Sequence, residues 1–227
     1  MAFSVIFEEQ LEIPFVRSLA EFRAWATSDD FPERGRIDFV AGRIEVDMSP
    51  EDLFCHGAPR IELVGALASL VKKGDRGDLW TTRVRVSCPN ADLSVQPDLV
   101  FVSKASITSG RMRLVPKPTG EPDRYVELEG PPDLVAEIVD EATLTKDTRR
   151  LPAAYWRAGV PEFWLVDARG PALLFQVHRR GPSAYEPVAP DADGFQYSAV
   201  FDTRFRLTRT RNQHGRWMFD LEESKRP

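Results

Sequence analysis

The chain has 227 residues, 42% of them hydrophobic, enough for one globular core with short extensions. No apolar run is long enough to cross a bilayer, and the opening "MAFSVIFEEQ" lacks the basic start and cleavable tail of a secretion signal, so no membrane partner is expected. A net charge of −5 argues against a dedicated basic nucleic-acid coat protein, while leaving room for local basic patches such as Lys146, Arg149 and Arg150.

The predicted elements begin with "SLAEFRAW". Ser18 and Glu21 form a capping box, which predicts a short helix from about residue 19. "RIDFVAGRIEVDMSP" reads as a hairpin turning at Ala41-Gly42. A helix follows over about 59–73, with Ile61, Val64, Leu67, Ala68 and Val71 at helical spacing, Pro59 in its first turn and Gly74 at its end. "DLWTTRVRVS" alternates like one half-exposed strand, and "PDLVFVS" gives a shorter apolar one. Residues 104–132, rich in Pro, Gly and charge, read as a loop with at most one helical turn.

"PDLVAEIVD" is the next strand. A helix covers about 148–158 and ends at Gly159, and then "EFWLVD" and "LLFQVHRR" form strands across the "ARGP" turn. The stretch 195–221 gives one or two short strands, whereas "RNQHGRWMFDLEESKRP" shows no readable pattern. The order predicts a mixed sheet flanked by helices, an α/β or α+β protein, in a single domain over 1–227.

Two cysteines, Cys55 and Cys88, make no disulfide framework, so a reducing, cytoplasmic setting is expected. Neither has a companion at metal-ligand spacing, and His56, His178 and His214 are scattered, which argues against zinc.

The chemistry centres on two strands that share the entry Pro-Asp-Leu-Val. Asp98 stands at the start of the first. In the second, Val135, Glu137 and Val139 share a face, so a carboxylate sits inside an apolar run. A buried carboxylate needs a partner, because desolvating its charge is costly. If the strands are neighbours, Asp98 and Glu137 converge, and a hard divalent ion, Mg²⁺ (or Mn²⁺), is the natural cation between them. The plainer alternatives are a turn cap for Asp98 and an ion pair of Glu137 with Arg149 or Arg150.

"VQPDLVFVS", "GPPDLVAEIVD" and "KDTRRLPAAYWRAGVPEFWLVD" together resemble the Uma-type restriction-endonuclease family, a branch of the PD-(D/E)XK nuclease fold. "RIDFVAGRIEVDMSPEDLFCH" is similar to that family's opening hairpin, its Met-Ser-Pro turn and the histidine before the first long helix. The resemblance runs from about residue 36 to 180. It implies a restriction-endonuclease-like core, with the N-terminal helix and the C-terminal strands as extensions. It also implies a Mg²⁺-dependent endonuclease hydrolysing DNA phosphodiester bonds, with Asp98 and Glu137 holding the ion that activates water. A homodimer is the partner state that cutting both strands would suggest.

The family's lysine falls on Leu151 in this sequence, on a helical face shared with Tyr155 and Ala158, and Pro152 delays the helix start. Lys146 is the replacement expected to complete the catalytic set, with Arg149 and Arg150 as lesser candidates; arginine cannot exchange a proton as lysine does. The family's small turn after the acid reads Asp140-Glu141-Ala142, adding negative charge. Asp38 matches an acidic position of the family's first strand, and His56 its histidine at the rim of the cleft; Asp38 otherwise pairs across its hairpin, and His56 otherwise stabilises a turn. Glu162 is expected to be structural. The competing reading, from Leu151 and the acidic turn, is a catalytically decayed nuclease fold kept as a binding or scaffold module.

Overall fold

A computed structural model describes residues 13–225. In chain order, α1 (Leu19–Ala26) precedes β1 (Arg36–Val40) and β2 (Arg43–Asp47), and α2 (Ala58–Gly74) follows them. Next come β3 (Gly77–Thr81), β4 (Arg85–Cys88), β5 (Leu93–Val95) and β6 (Leu99–Ser103). Then α3 (Lys104–Thr108) is followed by β7 (Arg113–Pro116), β8 (Tyr125–Glu129), β9 (Leu134–Ile138) and α4 (Leu151–Ala158). The chain closes with β10 (Glu162–Asp167), β11 (Leu174–Arg180), β12 (Tyr185–Pro187), β13 (Gln196–Ser198), β14 (Thr203–Arg211) and β15 (Trp217–Ser224).

The strands form three sheets, ordered β2-β1-β5-β4-β8-β7, β12-β11-β10-β9-β6-β3 and β13-β14-β15. The first two are mixed: β4 runs parallel to β8, and β9 parallel to β10 through α4. This is the expected α+β arrangement of mixed sheets and flanking helices. Among the described residues no helix is long and apolar enough to cross a membrane.

The second sheet is buried on both faces, and its sequence shows why. In β9, β10 and β6, the residues Val135, Phe163, Leu165, Val100 and Val102 pack with α4 and the first sheet. The alternate residues Leu134, Ala136, Trp164, Val166, Leu99 and Phe101 pack with α2 and the third sheet. Continuous apolar runs suit a strand covered on both sides. Glu137 belongs by alternation to the α4 face.

Several expected elements hold. Ser18 accepts from the Glu21 amide at 3.2 Å, while Glu21 reaches back to the Arg17 N–H at 2.8 Å rather than to that of Ser18. The β1–β2 turn places Ala41 at φ +49° and Gly42 at φ +77°, the pair of left-handed conformations that a two-residue hairpin requires. Alanine is the poorer occupant. Ala41→Asn is expected to raise stability by roughly 0.5 kcal/mol, measurable by thermal unfolding.

Other expectations need correction. The face of α2 is Leu63, Leu67 and Val71, whereas Ile61 is 73% exposed and Ala68 also faces out. "DLWTTRVRVS" is not one strand: Thr82 and Arg83, both at positive φ, break it into β3 and β4, which enter different sheets. The stretch 104–132 holds α3 and the antiparallel pair β7–β8. The unreadable tail contributes β15, paired with β14 from Arg204–Ser224 to Arg211–Trp217. Its last residues, 226 and 227, lie outside the described ones, as does the opening "MAFSVIFEEQ".

Candidate functional site

The two Pro-Asp-Leu-Val strands are neighbours, antiparallel, with Leu99 opposite Ala136 and Phe101 opposite Leu134. That register sends their aspartates to opposite ends. Asp133 caps one end, accepting from the Ser103 N–H at 2.6 Å and the Ser106 hydroxyl at 2.7 Å. Asp98 lands at the other end beside Glu137 and accepts the Ile138 N–H at 2.7 Å. The same tetrapeptide thus serves a structural role once and a site role once.

Asp98 and Glu137 meet on one cation, the guanidinium of Arg36, the first residue of β1. Its Nη2 donates to Glu137 Oε2 at 3.1 Å, and its Nη1 lies 3.6 Å from Asp98 Oδ1. Its Nε stands 3.3 Å from Asp38 Oδ2. Arg36 and Asp38 share a face of β1 because strand side chains alternate. Lys146 adds a second cation from the π-helical turn Lys146–Arg150 that leads into α4, donating to Asp38 Oδ2 at 3.0 Å. The other Asp38 oxygen accepts the Gln96 N–H at 2.9 Å. Asp38 therefore points inward and does not pair across its hairpin.

Tyr155, on the apolar α4 face with Leu151 and Ala158, turns its hydroxyl to Glu137 Oε1 at 2.6 Å. The face lacks the family's lysine but is not inert. Arg150 lies outside this centre, on Glu45 at 2.8 Å, and Arg149 is exposed. Asp147, almost fully buried, accepts from Thr143 through Oδ2, while its Oδ1 has no hydrogen-bond partner among the described residues.

His56 sits in the π-helical turn Leu53–Gly57 before α2, its Nε2 3.3 Å from Asp98 Oδ2 and its Nδ1 3.2 Å from Glu51 Oε1. It lines the open side of the centre, a cleft of about 220 Å³ walled also by Arg36, Glu51, Arg60, Asp98 and Asp140. Of the two charges added by the acidic turn, Asp140 faces this cleft, and Glu141 pairs outward with Arg169 at 3.2 Å.

The electrostatics follow from burial and pairing. Burial works against the Arg36 charge, but Glu137, Asp38, Asp98 and Asp147 outweigh it and hold the group firmly cationic. Burial pushes the Glu137 carboxyl up to about 8, opposed by Arg36 and reinforced by Asp98 and Asp147. Asp98 goes the other way, to about 2, because His56, Arg36 and the Ile138 amide overcome its burial. His56 rises to about 9: Asp98 and Glu51 outweigh the desolvation of its ring. Asp147 is raised by burial to about 6.

These oxygen donors are the type a hard divalent ion takes, yet as arranged they do not fit one. Among the described residues no group of three or more His, Cys, Asp or Glu side chains is placed to hold a metal ion. The acids expected to hold Mg²⁺ hold a guanidinium instead.

The site thus joins a deep acid pair to a rim that mixes His56 and Arg60 with Glu51 and Asp140, on a mixed sheet with a parallel β9–α4–β10 unit. The family model Uma2, described as "Putative restriction endonuclease", matches residues 19–209. The chain belongs to this family. Its fold is similar to the crystal structure of a "putative nuclease belonging to DUF820" from Anabaena variabilis, at 20% identity and a TM-score of 0.55, covering 81% of this chain and 90% of that one. No curated protein matches the chain.

Proposed function

We propose that the chain is an endonuclease of the PD-(D/E)XK type that hydrolyses DNA phosphodiester bonds at this cleft, with Mg²⁺ (or Mn²⁺) as its cofactor. The observation that carries the reading is the meeting of Asp38 on β1, Asp98 just before β6 and Glu137 on β9, with Lys146 on Asp38 and with His56 and Arg60 at the mouth. His56 and Arg60 offer positive charge to a phosphate at the mouth, and Arg36 reaches the same cleft. Asp98 is held ionised and oriented by His56 and the Ile138 amide. Tyr155 fixes the Glu137 carboxyl within hydrogen-bonding distance. Lys146 keeps a charge beside Asp38, the task that the family's lysine leaves vacant at Leu151. Two copies acting together on duplex DNA is the assembly this reading favours.

Nicking of supercoiled plasmid in Mg²⁺ or Mn²⁺ tests it. Wild type is expected to nick, and Glu137→Gln, which retains a shape able to meet Tyr155 and Arg36, to lose at least about a hundredfold in rate, the scale on which single catalytic groups act. Absence of nicking by wild type in either ion sinks the hydrolytic reading. A second reading, a nuclease fold that binds DNA without cutting it, is favoured by the Arg36 guanidinium occupying the acid centre. Anisotropy of labelled duplex DNA separates the two: retained binding with no nicking selects the binding module.

A further inference from the structure

We infer that Arg36 is the resident cation of the acidic centre and that it competes with a divalent ion for the same place. The inference takes its choice of ion from the nuclease reading above; its geometry is independent of it.

One guanidinium spans Asp38 at 3.3 Å, Asp98 at 3.6 Å and Glu137 at 3.1 Å. An oxygen-bound Mg²⁺ stands about 2.0–2.1 Å from each ligand, so an ion shared by Asp98 and Glu137 lies where the Nη1–Nη2 edge now lies. The two positive charges cannot occupy that space together. Arginine is suited to the role: it is planar, permanently charged and presents its donors in a rigid fork that spans several carboxylates, whereas lysine offers a compact charge on a flexible stem.

Two further observations point the same way. Arg36 is incompletely satisfied, since among the described residues its buried Nε has no hydrogen-bond partner despite lying near Asp38. Asp147 Oδ1, also buried, leaves an acceptor beside the centre that no group among the described residues takes up. The centre therefore holds an unused donor and an unused acceptor side by side, so its own groups are imperfectly matched. Arg36 also has somewhere to go. It opens β1, its side chain keeps 18% of its surface exposed, and it lines the cleft, so it can swing outward while the strand stays paired. Lys146 remains on Asp38 in either state and keeps that acid from standing alone.

Calorimetric titration with Mn²⁺ at pH 7 tests the competition on wild type, Arg36→Met and Arg36→Gln, each checked for folding by circular dichroism. The two variants are expected to bind Mn²⁺ at least ten times more tightly than wild type, and adding Asp98→Asn to either should remove the gain. Their melting temperatures should lie below that of wild type without ion and recover with Mn²⁺, a readout independent of activity. Equal affinity in wild type and a folded Arg36 variant overturns the inference, as does a gain that survives Asp98→Asn. Nicking by wild type with no gain on Arg36→Gln would leave the nuclease reading standing and remove this one. A gain without nicking by any variant would do the reverse.

Discussion

Glu162→Ala is expected to lower stability by about 3–5 kcal/mol and the melting temperature by on the order of 10 °C. Glu162 is 2% exposed and opens β10. Its Oε1 accepts from Trp164 Nε1 at 2.7 Å and from the Ser198 hydroxyl at 2.6 Å, and its Oε2 from the Ala199 N–H at 2.9 Å. Truncation leaves the buried Trp164 and Ser198 donors without an acceptor, each costing about 1–3 kcal/mol, and also frees the Ala199 and Val200 N–H groups nearer the surface. The carboxyl also ties the central sheet to the β13–β14 turn, so the loss spreads to the third sheet. Glu162→Gln keeps one oxygen acceptor and should cost less than half as much. Calorimetric unfolding of both variants measures this, and a change of under 2 °C for alanine would show that the network carries little of the fold.

The second large effect is a fall in stability on the alkaline side. His56 is raised from 6.5 to about 9, so its charged form is favoured by folding. Its contribution is fully present below pH 6.5 and is lost as pH rises through 9. Glu137 is raised from 4.5 to about 8, so folding favours its protonated form, and that contribution fades as pH rises from 4.5 through 8. The two act in the same direction. Asp98, depressed to about 2, contributes above pH 3.8 and is lost only as pH falls through 2. Asp147, raised from 3.8 to about 6, fades in the same way as Glu137, so stability should peak at about pH 4 and decline above it. A shift of this size in one nearly buried group corresponds to a few kcal/mol at most, so a drop on the order of 10 °C in melting temperature from pH 6 to 9 is expected. His56→Asn should flatten that limb. A melting temperature that is constant or rising from pH 6 to 9 would be incompatible with the charges assigned to this cleft.

Asp98 and Glu137 were legible because each breaks an apolar strand that is otherwise easy to read, and desolvation forbids an idle carboxylate there. Arg36 was not. It sits in "PERGRIDF", whose polar texture reads as surface, and what joins it to Glu137 is the packing of two sheets, which no local pattern records. One signal was available: Arg36 and Asp38, two apart on a strand, must share a face. Lys146 was named for its charge, but its contact with Asp38 rather than with Asp98 or Glu137 depends on the π-helical turn before α4. Tyr155 shares a helical face with Leu151 and Ala158 and its ring is core, yet its hydroxyl completes Glu137, which spacing alone does not show. The β7–β8 pair was hidden by the Pro- and Gly-rich link between its strands. In β15 the alternation of Trp217, Phe219 and Leu221 is plain in retrospect, but a polar run of Arg, Asn, Gln and His precedes it.

The match to the family ends at residue 209, partway along β14, whereas the strand that closes the third sheet begins at Trp217. Every member of the acid centre lies before that boundary. A fragment trimmed to it would thus keep every residue of the acid centre and lose β15, whose Leu221 packs into the cluster holding Trp164 and Phe205. Whoever shortens this protein for crystallisation or fusion should carry the chain through Ser224, or expect insoluble material that says nothing about its catalytic competence.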